Sequence, residues 1–150
     1  IARICRRNVE ATFLCGLLHS IGRPVVLQTV IEISRDKQVS LTREDVLLLE
    51  NTYQREVGAK VVEKWEMPKI VCDAVLHFDN YEQASLAKDQ TTMVNGGAQF
   101  ASHILDPDAL DVETLASLPV LADLNLYQDE VERLLEMKDA IASTREAMSA

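Results

Sequence analysis

Three histidines and a scatter of carboxylates are the side chains here whose types and spacing could do chemistry. His19 closes an apolar stretch and is followed by Ser20. Asp73 and His77 stand four apart, so on a helix they face each other across one turn, a spacing that also suits metal ligands. Asp79 follows two residues on, and His103 falls on an ordinary helix face. A divalent metal held by imidazole and carboxylate polarises a phosphoryl oxygen and lowers the pKa of bound water, which is hydrolytic chemistry. The structural readings are favoured: His19 capping or hydrogen-bonding at its helix end, and Asp73–His77 as a surface or half-buried pair. There is no GxSxG, P-loop, GxGxxG or Cys/His zinc spacing, and no nucleophile–base pair can be named. Cys5, Cys15 and Cys72 are odd in number and make no CxxC. Thiols scattered through helices fit a reducing compartment, so the expected location is cytoplasmic.

These residues need a scaffold, and 150 residues fit one domain that buries roughly two-thirds of its unfolded surface. A hydrophobic content of 47% supports a packed core. No apolar run approaches the roughly 20 residues that span a bilayer, and no secretory signal opens the chain. Residue 1 is isoleucine inside a plausible helix, so the natural N-terminus is expected to lie upstream. The net charge of −9 is uneven: residues 1–105 hold 12 basic and 13 acidic side chains, residues 106–150 hold 3 and 11. Binding to nucleic acid needs a basic face that releases phosphate counterions, and only Arg3, Arg6 and Arg7 cluster. Neither nucleic acid nor membrane is an expected partner. The Arg cluster and the acidic tail are read as solvated faces.

The elements that would position the site read as helices almost throughout. Asn8 can cap a first helix with Phe13, Leu14, Leu17, Leu18 and Ile21 at helical spacing. Gly22 suits a left-handed stop, and Pro24 then allows a new start. Val25, Val26, Thr29, Val30 and Ile33 support a second helix, although their β-branching suits a strand as well. The polar run Arg35–Ser40 reads as a loop. Thr42, with Glu44 and Asp45 in the first turn and Leu41 and Val46 as a staple, starts a third helix. Its stripe is Val46, Leu49, Tyr53, Val57, Val61 and Trp65, interrupted by Gly58, which implies close approach of a neighbour. Leu17 and Trp65 are expected to be buried, Trp65 as core and not as a ligand platform.

Pro68 opens a fourth helix with Ile70, Val71, Ala74, Val75 and Phe78 on one side. Tyr81–Gln90 reads as a loop. The next helix carries Met93, Val94, Ile104 and Leu105, with Gly96, Gly97, Ala98 and Ala101 allowing tight packing, and Asp106-Pro107-Asp108 ends it. A short segment Val112–Leu118 precedes Pro119. The last helix runs from about Gln128 to Met148, with Val131, Leu134, Leu135, Ile141 and Met148 inward. The expected fold is all-α, at least 60% helix, a compact bundle of about five to seven helices in a single domain over 1–150.

Two ordered stretches carry a resemblance. The run from Phe13 to Gly22, FLCGLLHSIG, resembles the FLAGLLHDIG segment of the HD phosphohydrolase superfamily, especially its HDOD branch. The run from Glu56 to Pro68, with Ile70, Ala74 and Val75 after it, resembles the family's EVGAxLLxxWxLPxxIxxAI stretch at the expected separation. The small-residue run Gly97–Ala101 resembles the helix that follows, so the resemblance covers nearly the whole chain. It implies an HD-like helical fold whose N-terminal helices are missing here. Apolar area on residues 9–21 and 43–66 would then be left for another copy or a missing segment to cover.

The resemblance also implies where metal ligands would stand. His19 takes the first place of the His-Asp pair, but Ser20 replaces the aspartate. The histidine before the EVGA run is matched by Gln54 or Arg55. The paired histidines fall on Phe78 and Asp79, with His77 one early, and a later aspartate aligns with Ala98. His19 and Ser20 are thus vestigial positions, with no catalytic, metal or cofactor residues expected and no enzyme activity favoured. The first reading is a non-catalytic regulatory or interaction domain of bacterial signal transduction. It would act through a protein partner, an attached signalling domain or self-association. The alternatives are a degenerate phosphohydrolase using His19, Asp73, His77 and Asp79, or a pocket that binds a nucleotide without cleaving it.

Overall fold

The computed structural model describes the backbone of residues 1–149, and the side chains of all of these except 142, 144–146, 148 and 149. The chain is all helical, 72% helix with no strands among the described residues. Two compact units are present, residues 9–94 and residues 1–8 with 95–150.

In the first unit α1 (Val9–Leu18) starts directly after Asn8. α2 is Gly22–Lys37, α3 Arg43–Lys64 and α4 Lys69–His77, and a 3-10 turn at Tyr81–Gln83 leads to α5, Lys88–Leu105. α2 packs along α3, and α4 packs on both α3 and α1. The core is Cys15, Val62, Val71, Ala74, Val75, Ala87 and Val94, flanked by half-buried Leu14, Leu18, Ile21, Ile70 and Phe78. Val9–Lys37 is long and apolar enough, by length and composition, to cross a bilayer. It is nonetheless two helices broken at residues 19–21, and it carries Arg23.

α3 starts as its sequence directs. The Asp45 amide donates to Thr42 Oγ1 at 3.2 Å and the Thr42 amide donates to Asp45 Oδ2 at 2.9 Å, a closed capping box. Four expectations in this unit are corrected. Gly22 does not end α1 in a left-handed conformation; it is the first residue of α2, and no glycine has positive φ. Its missing side chain serves helix contact instead. Arg35, Asp36 and Lys37 are helical, not loop, and α2 ends at Gln38 with φ 54°. Its two last-turn cations face the negative end of the helix dipole.

Leu17 and Trp65, both expected inside, are 56% and 55% exposed, and Phe13 is exposed too. On α1 the buried line runs through Leu14, Cys15 and Leu18. On α3 it runs through Glu50, Gly58 and Val62, one residue to the side of the apolar stripe, and Tyr53 is exposed. Trp65 is already past the helix, at its cap, where the chain reverses through Glu66 at φ 56°.

The second unit holds the later part of α5, then α6 (Val112–Ala116), α7 (Pro119–Asp123), α8 (Gln128–Glu136) and α9 (Lys138–Ser149). Phe100, Leu115, Val120, Leu121, Leu126, Val131 and Leu134 are buried. A Cβ on Gly96 would stand 2.9 Å from Leu124 Cδ1, so the small-residue helix does allow close packing. Asp111 caps α6 by accepting the Thr114 amide at 2.7 Å. The single last helix read from sequence is two, divided at Met137. Ile141 is exposed, contrary to expectation, and the Met148 side chain lies outside the described residues.

Candidate functional site

The α1–α2 turn and the end of α4 carry the chemistry-bearing residues of the first unit. His19 lies in the turn after α1, its Nδ1–H donating to the Gly16 carbonyl at 2.6 Å. The imidazole meets the Phe78 ring edge-on, centroids 5.1 Å apart at 73°. This ring at the first vestigial position is therefore tied to its own helix end and to an aromatic ring. Ser20, beside it, is half-buried, and its carbonyl accepts the Arg23 amide at 3.0 Å.

Asp73 and His77 do share one face of α4, with Nε2 3.7 Å from Oδ1. The other carboxylate oxygen is committed elsewhere. Asp73 Oδ2 accepts the amides of Leu86 and Ala87, both at 2.8 Å, and so fixes the chain just before α5. Asp79 accepts from Arg55 Nη1 on α3 at 3.0 Å. Asp79 stands at a position matched to a metal ligand in the resemblance, and Arg55 is one of the two residues, with Gln54, matched to another. In their place is an ion pair between a guanidinium and a carboxylate. Among the described residues no three His, Cys, Asp or Glu side chains gather as a metal shell would require. The donor set does not fit a divalent ion: Asp73 Oδ2 is saturated by amides, and Asp79 Oδ1 is paired with Arg55.

In the second unit His103 is half-buried, and Nδ1–H donates to the Leu110 carbonyl at 2.7 Å, closing the turn after α5. Ala98 is half-buried on α5. Burial pushes the Cys15 thiol up to about 11, which suits a core residue and not a nucleophile. The pair Arg23–Glu50, 3.5 Å apart with Glu50 largely buried, was not foreseen. Neither was Arg55–Asp79. Their partners are 27 and 24 residues apart in sequence, and no local pattern announces such pairs.

A family model for the HDOD domain matches residues 1–81, more than half of the chain. The chain belongs to the HDOD family. The match takes in both sequence stretches that carried the resemblance and ends before the small-residue helix, so it covers less than the resemblance did. Comparison with curated proteins and with solved structures found no match. Within the HDOD match lie His19, Ser20, Arg55, Asp73, His77 and Asp79, while His103 and Ala98 fall outside it. The assignment is consistent with a signalling-associated domain.

Proposed function

We propose that this HDOD domain works without catalysis, as a regulatory or interaction domain of bacterial signal transduction in the cytoplasm. The observation that carries the reading is the Arg55–Asp79 ion pair at 3.0 Å. A carboxylate held by a guanidinium offers a metal ion a neutralised and partly occupied ligand, and the guanidinium repels the ion. The His19 ring against Phe78 and the amide-saturated Asp73 oxygen support the same reading.

The mode of action is contact with a protein, either a separate partner, an attached signalling domain or a second copy. Phe13, Leu17, Leu48 and Trp65 are exposed apolar side chains on and beside α1 and α3, the helices expected to leave surface uncovered. Nucleic acid is disfavoured by the −9 net charge. Elemental analysis of purified protein, with assays on cyclic dinucleotides and nucleoside phosphates in manganese, tests the proposal. We expect no stoichiometric metal and no metal-dependent turnover. Stoichiometric metal together with turnover would replace the reading with a degenerate phosphohydrolase.

A further inference from the structure

α2 and α3 touch backbone to backbone at one end and part from there. Beyond the crossing of Gly22 and Gly58, the two helices and the 38–42 connection bound a cleft of about 490 Å³. Its walls are aliphatic: Val26, Val30 and Ile33 from α2, Leu49 and Val57 from α3. Two hydroxyls on the wall are already used, Thr29 donating to the Val25 carbonyl at 2.8 Å and Ser34 to the Val39 carbonyl. That leaves the Lys37 ammonium and the Tyr53 hydroxyl, which have no hydrogen bond or ion pair among the described residues. Lys37 is the charged residue of the lining, and it sits at the end where α2 stops.

We propose that this cleft binds a free aliphatic carboxylate of medium length, its tail along the valine walls and its head on Lys37. Charge selects the head, because an ammonium donates and cannot accept, so its complement is an anionic acceptor. The volume falls in the range of small-ligand sites, roughly 300–1,000 Å³. The inference does not depend on the regulatory reading, since an enzyme or a scaffold could carry the same cleft.

Titration calorimetry of the 150-residue chain with octanoate, decanoate and dodecanoate below their micellar concentrations tests it, with decanol and decyltrimethylammonium as controls. We expect one saturable site, with each added methylene strengthening binding by at most about fourfold. Lys37→Glu, at an exposed position and with its fold checked by circular dichroism, should weaken decanoate about tenfold or more, the scale of one charge-assisted contact. It should leave decanol unchanged. Val30→Trp, which puts an indole into the cleft, should weaken both. Absence of saturable binding overturns the proposal, as does equal affinity for decanoate and decyltrimethylammonium, or indifference to Lys37→Glu. A concentration-dependent dimer that Val30→Trp disrupts, with no decanoate heat, assigns the cleft to a second copy and also overturns it.

Discussion

Gly22 and Gly58 lie backbone against backbone: a Cβ on Gly22 would stand 1.9 Å from the Gln54 carbonyl oxygen and 2.7 Å from the Gly58 nitrogen. A Cβ on Gly58 would meet Val75 Cγ1 at 2.9 Å and the Gly22 nitrogen at 3.2 Å. The two glycines let α2 ride on α3 at the point from which the α2–α3 cleft opens.

Gly22→Ala therefore has to displace a helix backbone, and overpacking of that kind costs about 3 kcal/mol or more. Gly58→Ala is milder, because the Val75 methyl can shift and alanine recovers about 0.5–1 kcal/mol of helix propensity; a loss of about 1 kcal/mol is expected. Urea denaturation of both variants checks the order. A Gly22→Ala protein as stable as the parent would mean that the crossing is looser than the contacts require.

The α3 start makes a prediction about acid. Hydrogen bonds from the Thr42 amide and hydroxyl hold the Asp45 carboxyl below its ordinary value, and those from the Thr114 amide and side chain do the same to Asp111. A carboxylate whose folded pKa is depressed stabilises the protein above its unfolded pKa, and the gain is lost as pH falls through the folded value. The melting temperature should fall from about pH 4 downward, and less steeply in the Asp45→Asn, Asp111→Asn double variant. Both carboxylates are fully exposed, so salt should reduce the difference. At neutral pH, Thr42→Ala should cost about 1 kcal/mol, the usual worth of an N-cap.

Val62→Ala should be more damaging than Trp65→Ala, although the sequence reads the other way. Val62 is 0% exposed in the core, and its truncation should cost about 2 kcal/mol or more. Trp65 is 55% exposed at a helix cap, and its loss should cost about 1 kcal/mol or less. Thermal melts of the two variants decide the matter.

The same two residues mark where the sequence was legible. The Thr42 N-cap, the Pro68 start, the α4 face and the stop at Asp106 all rest on local chemistry, and each could be read within a few residues. The buried face of α3 could not. Its contact line contains a charged residue, Glu50, and a glycine, Gly58, neither of which adds to an apolar stripe. The stripe thus pointed to the flank that lines the α2–α3 cleft. Gly22 was read for its φ when its role is contact with a helix 36 residues away. At the site, Asp73–His77 was visible as a helical spacing. The Asp73 amide bonds and the Arg55 partner of Asp79 depend on how distant elements meet.

Asp73 tests whether the α4 pair is a support or a ligand. Asp73→Ala removes the acceptor for two amides and should destabilise by about 2 kcal/mol. Asp73→Asn keeps one carbonyl oxygen for those amides and should cost less than half as much. If Asn is as damaging as Ala, charge and not amide acceptance is what the position supplies. Chemical denaturation with and without manganese reads both variants, and the expected metal effect on each is nil.

The last prediction follows from the crowding around His19. Ser20→Asp restores the missing member of the His-Asp pair but changes nothing else. His19 still donates to Gly16 and lies edge-on to Phe78, Asp73 still holds two amides, and Arg55 still neutralises Asp79. A working centre needs imidazole and carboxylate ligands at about 2.0–2.2 Å from one ion, and one added carboxylate does not bring the others to it. The Ser20→Asp protein should therefore bind no stoichiometric manganese and hydrolyse neither cyclic dinucleotides nor nucleoside phosphates. Adding Arg55→His to it removes the built-in cation and supplies an imidazole. Weak metal affinity should then appear in calorimetry, without turnover, because the Phe78 ring still occupies a ligand position. Manganese-dependent turnover by Ser20→Asp alone would show that a second ligand set exists, and the non-catalytic reading would fall.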